Sequence, residues 1–419
     1  MSGIRVNEWL HNSGTGGIWQ TSAGNVGIAS SVPTTKLEVT GDAKISGVTT
    51  ATAFVPSQGQ LSNRNLIING AFQIAQRATT STSGDYCAVD RFGISNNGLD
   101  EATTNSQHTL TSSDTGPWAE GFRKSFHVQN GNQTSGAGVD DRVAIYYKPE
   151  AQDIANSGWD YTNSSSYITL SFWVKSSVAQ NFYGRFTTED GTQYSYPFET
   201  GSLTANTWKK VIKVIPGNSN LAFDDNNGIG ATLEWDAFRG TNKTGSITLE
   251  TWAAFVSAVR IPDMASTWYT TNDAIFEITG VQLEVGQAAT PFEHRSHSDE
   301  LARCQRYFFN IKGDQYDAAG ILGYALDSEE IRVKVEFPVP MRQMPTYTGN
   351  AKDCKFKANN TSSNMHWSNL SILNSQTTPN PKSTMMKFDK GSSLSVTAGE
   401  CGDMEFHEDG GELQFSAEF

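Results

Sequence analysis

The chain has 419 residues, with 31 Lys and Arg against 44 Asp and Glu, and a formal charge of −13. That balance, without any basic block, excludes nucleic acid as a partner. An aromatic content of 11% excludes a disordered polar tract, and Ser, Thr, Asn and Gly, more than a third of the residues, exclude a helical bundle. No apolar run approaches the roughly 18 residues of a membrane span, so no membrane insertion is expected. Met1–Glu8 lacks the apolar stretch of a secretory leader, and the expectation is assembly in a cytoplasm. Cys87, Cys304, Cys354 and Cys401 lie far apart without a CxxC pair, as reduced structural thiols do.

Three composition zones divide the chain at 1–63, 64–295 and 296–419. In the first, Lys36–Thr40 and Ala43–Ser46 flank Gly41-Asp42 and predict two short strands about a tight turn. So few core residues cannot sustain a domain alone, which predicts a core shared among copies, a homotrimer. Ile4, Val6, Trp9, Leu10, Ile18 and Trp19 are the large apolar groups of residues 1–20. They suit either anchoring in a partner's groove or packing against sister chains.

The second zone carries the richest strand signals: Phe122–Val128, Val143–Tyr147, Ile168–Val174, Phe182–Thr187 and Trp208–Ile215. In Ile275–Val285 the apolar phase slips beside Gly280, where a β-bulge would allow it. Many short strands with Gly and Asn turns predict a sandwich or jelly roll. Pro149 suits the first turn of a short helix over Glu150–Asn156. The third zone opens on a helix capped by Ser298, with Leu301, Cys304 and Phe308 on one stripe. Alternating strands follow at Ile331–Phe337 and Leu413–Phe419, which gives a second, smaller β domain.

Chemistry is sparse. There is no GxSxG, HExxH, P-loop or GxGxxG, and His407-Glu408 lacks the second His of a zincin. The histidines are scattered, so no metal, cofactor or catalytic residue is assigned. Asp224–Gly228 lacks the Glu that closes a calcium loop and reads as a solvated turn. Trp118, Trp159, Trp235, Trp268 and Trp367 sit beside Gly, Asp, Asn, Ser or Thr, in loops suited to stacking sugar rings. Each also carries a core reading, since tryptophan is buried on average.

Asn65–Arg77, followed by Val89-Asp90-Arg91-Phe92, resembles the opening of a jelly-roll domain found in bacteriophage tail fibres and related virion proteins. Thr169–Lys175 looks like its central strand, Val281–Gly286 with Ala289–Arg295 its closing segment, and Leu301–Phe308 the helix that follows. Gly24–Ile28 with Pro33–Val39 is similar to trimeric fibre segments, especially those of marine cyanophages. Ala71 and Ala75 depart from the family, which has Asp and an aromatic there.

The resemblance implies an all-β protein with a short trimeric N-terminal segment, a central jelly-roll sandwich and a smaller C-terminal β domain after one short helix. It implies a structural fibre located in the virion, docked on other virion proteins through the N-terminal segment and adhering to host-surface polysaccharide. A purely architectural neck, collar or capsid fibre is the alternative. A polysaccharide depolymerase is a third reading.

Overall fold

A computed structural model describes residues 8–10, 17–40, 43, 62–349, 353–358, 361–366, 370–372, 382–389, 396–406 and 409–419. The chain divides into two compact units, Met1–Pro56 and Ser57–Phe419. The first is a four-stranded sheet of β1 (Glu8–Leu10), β2 (Gly17–Gln20), β3 (Val26–Ile28) and β4 (Leu37–Val39), with β3 and β4 parallel. Its turn is pinned by Glu38, which accepts from Ser30 Oγ at 2.6 Å and from the Thr34 backbone at 2.9 Å. Strands of three or four residues cover little apolar surface. Ile18, Ile28, Val32 and Leu37 stay 41–75% exposed. The second strand expected at 43–46 lies outside the described residues, apart from Ala43.

The second unit opens with a sandwich whose strands, in chain order, are β5 (Thr80–Ser81), β6 (Phe92–Asn97), β7 (Thr104–Thr109) and β8 (Lys124–Gln129). There follow β9 (Arg142–Tyr147), β10 (Tyr167–Ser176), β11 (Tyr183–Thr188), β12 (Tyr194–Glu199), β13 (Lys209–Pro216), β14 (Ala231–Arg239), β15 (Ala253–Ala254) and β16 (Ile275–Val285). One sheet runs β13-β10-β16-β8-β7-β5 and the other β15-β12-β11-β14-β9-β6. Side chains alternate across each strand, so Phe126, Leu170, Phe172, Phe186, Leu233 and Trp235 meet between the sheets. The phase slip in β16 is a bulge: the register with β10 shifts between Ser171 and Trp173, opposite Gly280. Gly280 has φ +63°, and a Cβ there would sit 2.6 Å from the Phe122 ring. Only glycine fits.

Helix α1 (Ala151–Ala155) follows β9, and α2 (Thr267–Thr270) precedes β16. Helix α3 (His297–Gln305) leads into the last part of the chain. Its cap is Ser296, whose Oγ accepts from Asp299 N at 3.2 Å, rather than Ser298. Phe308 belongs to the following strand, and the buried helical stripe is Leu301 with Cys304. Cys304 is fully buried and free, and burial pushes its thiol well up.

The remaining strands are β17 (Phe308–Gly313), β18 (Ala318–Ala325), β19 (Glu330–Glu336), β20 (Thr346–Gly349) and β21 (Asp353–Ala358). They continue with β22 (Thr361–His366), β23 (Leu370–Ile372), β24 (Ser383–Asp389), β25 (Cys401–Phe406) and β26 (Gly411–Ser416). These form sheets β17-β26-β20 and β22-β21-β25-β18-β19-β24-β23 around a separate core of Val333, Phe356, Phe388, Met404 and Phe415.

The segments that carry the fibre resemblance tie this unit together. Asn69, at φ +62°, donates through Nδ2 to the carbonyls of Ile74 and Asp90, both at 2.9 Å. Glu293 accepts from the Arg64 and Asn65 backbones at 3.1 and 3.0 Å. Arg91, fully buried, pairs with Glu418, donates to Lys148 O at 2.7 Å and lies 3.4 Å over the Tyr307 ring. The opening motif is therefore a seam between sandwich and C-terminal strands.

Candidate functional site

Three of the five loop tryptophans are core residues. Trp159, Trp235 and Trp268 are 3, 1 and 0% exposed, and Trp235 lies in β14 with its ring against Phe92 and Phe172. The sugar-stacking expectation is corrected for these three: each ring is buried in the sandwich core, where no sugar can stack on it. Trp367 lies outside the described residues. Among the expected anchors, Ile4 and Val6 lie outside them too, Trp9 and Leu10 belong to β1, Ile18 is 46% exposed and Trp19 half-buried, both in β2.

Trp118 is half-buried and belongs to an outer-face group with Trp173 and Trp208. Their ring faces and edges are already engaged. The Arg123 guanidinium lies 3.7 Å over Trp118 and Lys175 Nζ 4.6 Å over Trp208. The indole N–H groups of Trp173 and Trp208 donate to Glu120 and Asp114, each at 3.0 Å.

Beside them, cross-strand register aligns Lys175 of β10, Glu277 of β16 and His127 of β8, with His108 on β7. Their donor atoms bring His108, His127 and Glu277 within 4.8 Å of one another, a grouping the scattered sequence positions hid. Glu277 is buried, and its carboxylate faces Lys175 Nζ at 2.9 Å and His108 Nδ1 at 3.0 Å. Burial alone would raise Glu277, but the hydrogen bond with His108, the nearby His127 ring at 3.6 Å and the charge of Lys175 hold it well below the usual range. Lys175 supplies the positive charge that a metal would otherwise bring. The group is an ion-paired cluster.

The opposite face of the sandwich holds an open cleft. Register places Arg185 of β11 beside Glu234 of β14, Glu234 beside Tyr146 of β9, and Tyr146 beside Gly93 of β6. The Tyr146 ring folds over Gly93, where a Cβ would lie 2.2 Å from it. Burial raises the Tyr146 hydroxyl strongly, so it stays a donor, and it donates to Asp85. Asp85 itself adopts φ +60°, a conformation that β-branched and bulky residues avoid.

Behind this row, Glu234 is held between Arg185 and Arg239, and Arg239 Nε donates to Asp236 Oδ1 at 2.8 Å. Arg185 also donates to Thr187 Oγ1 at 2.6 Å. The segment after β14 brings Arg260 to the same cleft, whose volume is 510 Å³. That is within the range of pockets that hold small ligands. Arg185 is only 6% exposed, yet its buried Nε has no hydrogen-bond partner; Arg142 Nε is likewise buried and unpartnered. The arrangement offers planar donors, a carboxylate and an aromatic ring, all fixed before a ligand arrives.

These cleft residues are not grouped in the sequence, because only the cross-strand register of β11, β14, β9 and β6 sets them side by side. The available signal was polar alternation inside strongly apolar strands: Thr232, Glu234 and Asp236 in β14, Arg185 and Thr187 in β11.

No protein-family model and no curated protein matches the chain. Among solved structures, 53% of the chain is similar to 21% of the enzymatically active domain of bacteriophage CBA120 tailspike protein 4, at 12% identity and a TM-score of 0.29. The chain thus spans about a fifth of that protein's length. Another 53% match covers all of a putative sugar binding protein from Bacteroides thetaiotaomicron, at 12% identity and a TM-score of 0.27. A third covers 51% of the chain and 98% of a family 11 carbohydrate-binding module from Clostridium thermocellum, at 11% identity and a TM-score of 0.23. These are partial likenesses of shape, at identities where chemistry does not transfer.

Proposed function

We propose that the chain is a non-catalytic glycan-binding fibre protein of a phage particle, holding saccharide in the cleft over β11, β14 and β9. The observation that carries this reading is the cleft itself: the half-buried Arg142 and Arg260 guanidiniums, Arg185 and the fixed Tyr146 ring line one opening of 510 Å³. Sugars are bound by such pre-positioned planar polar groups, because little ordering remains to be done on binding. Glu234, one of the two carboxyls that line the cleft, is held ionised between two guanidiniums, whereas hydrolysis needs a carboxyl that gives up a proton. Asp236, which burial pushes up to about 6, is fully buried against Arg239 and does not line the cleft. A glycosidase acid must reach the glycosidic oxygen.

The test is binding of the full chain to host-surface polysaccharide, followed by calorimetry and an assay for reducing ends. Wild type should bind and release no reducing ends. Ser95→Trp, which fills the cleft from its half-exposed rim, should weaken binding about ten-fold or more. Unchanged affinity in that variant, or steady release of reducing ends, would displace this reading.

The fibre assignment is supported by the sequence resemblance over 24–54 and 65–308. A homotrimer is supported by Ile18, Ile28, Val32 and Leu37, which the short first sheet leaves exposed. Native mass measurement should find three chains; a monodisperse monomer would remove the trimer. Docking on other virion proteins through the N-terminal segment belongs to the same proposal.

A further inference from the structure

We infer that the saccharide taken by this cleft is acidic, a uronic-acid-type residue whose carboxylate faces Arg142 and Arg260. The inference rests on the glycan-binding reading above and names its substrate class.

Charge accounting carries it. Of the residues lining the cleft, four are cations, Arg142, Lys148, Arg185 and Arg260, and two are carboxylates, Asp85 and Glu234. The excess is concentrated further by how the pairs are made. Glu234 is taken by Arg185 and Arg239, which leaves Arg142, Lys148 and Arg260 against Asp85 alone, whose carboxylate accepts from the Tyr146 hydroxyl. Among the described residues Arg142 and Lys148 have no carboxylate within ion-pair distance, and the Arg260 guanidinium donates to Ser257, to its carbonyl at 3.2 Å and its hydroxyl at 3.4 Å, and lies 5.5 Å over the Phe255 ring. Lys148 Nζ rests 5.0 Å over the Tyr146 ring.

Two half-buried guanidiniums without a direct ion pair, sharing the more distant Glu234 with Arg185 and Arg239, are unusual in a chain of charge −13. Burial, and after it the charge of Arg239, holds Arg142 below its ordinary value. Arg260 is lowered in the same way by burial and by Arg185. An anion in the cleft would relieve both. Guanidinium forks match a carboxylate through two parallel hydrogen bonds, which a neutral hydroxymethyl group cannot reproduce. The overall negative charge repels extended polyanions at a distance, so the local excess suits a single carboxylate within a sugar chain.

The experiment compares short uronic-acid oligosaccharides with the same molecules after carboxyl reduction, by calorimetry at low and high salt. Reduction converts each carboxylate to a hydroxymethyl group and leaves ring and linkage intact. The acidic forms should bind about ten-fold tighter or more, with the gap narrowing as salt rises. Arg142→Gln combined with Arg260→Gln should erase the gap, so that acidic and reduced forms bind this variant equally. Thermal unfolding checks that this double variant folds. Equal affinity of wild type for both forms would overturn the acidic preference and leave glycan binding standing. Binding of neither form would overturn both.

Discussion

Glu418→Ala is expected to cost the second unit about 3–5 kcal/mol, the penalty for leaving a buried charge without its partner. Arg91 has no exposed surface, and three aromatic rings surround its guanidinium, those of Tyr307, Tyr147 and Phe419, at 3.4, 5.3 and 5.7 Å. Burial would depress Arg91, but the Glu418 carboxylate opposes it and holds the guanidinium charged. Arg77 also leans on Glu418, at 3.6 Å, so two cations lose their shared anion together. Urea unfolding should show an earlier midpoint at unchanged slope. Arg91→Met combined with Glu418→Ala should recover most of the loss, since the buried guanidinium leaves with its carboxylate and Arg77 keeps Asp90 at 4.0 Å. A single-variant cost under about 1 kcal/mol would mean that water reaches the seam, and the account of it would fail.

Glu234→Gln should destabilise the sandwich by a similar amount at neutral pH, about 3 kcal/mol, and should change the shape of its acid unfolding. Burial would raise this carboxyl from 4.5, yet Arg185 and Arg239 outweigh burial and hold it at about 2. A depressed acid contributes stability that is complete above its unfolded value and is lost as pH falls through the folded one. Wild type should therefore lose stability between pH 4.5 and about 2, in a limb that the Gln variant lacks. Asp236 works in the opposite sense. Raised from 3.8 to about 6, it lowers stability as pH climbs through that interval, so the comparison is best made below pH 4. Parallel stability profiles for the two proteins over that acid range would show that Glu234 is not the group responsible.

Backbone architecture was readable because it depends on local alternation and turn chemistry. Ile168–Val174, Val143–Tyr147 and Phe182–Thr187 alternate strongly, and each lies in a strand of the sandwich. Gly280 announced its bulge because the apolar phase changes beside it. The site was less readable. Trp159, Trp235 and Trp268 have polar neighbours in sequence but apolar neighbours in space, and local composition cannot separate the two. The clusters around Glu234 and Glu277 join residues from three or more strands, set side by side by register. His108 and Glu277 are 169 positions apart, and only the pairing of β7, β8 and β16 relates them.

The seam also sets an order on synthesis. Arg91 and Glu418 are 327 positions apart, so at ribosomal rates the guanidinium is made roughly 15–65 s before the carboxylate that neutralises it. For that interval the nascent sandwich carries a cation it cannot bury without penalty, next to the surface that β26 and the residues after it will cover. The contact that neutralises Arg91 is thus supplied 327 residues after it, and a product interrupted before Glu418 differs from one that contains it in charge as well as in length.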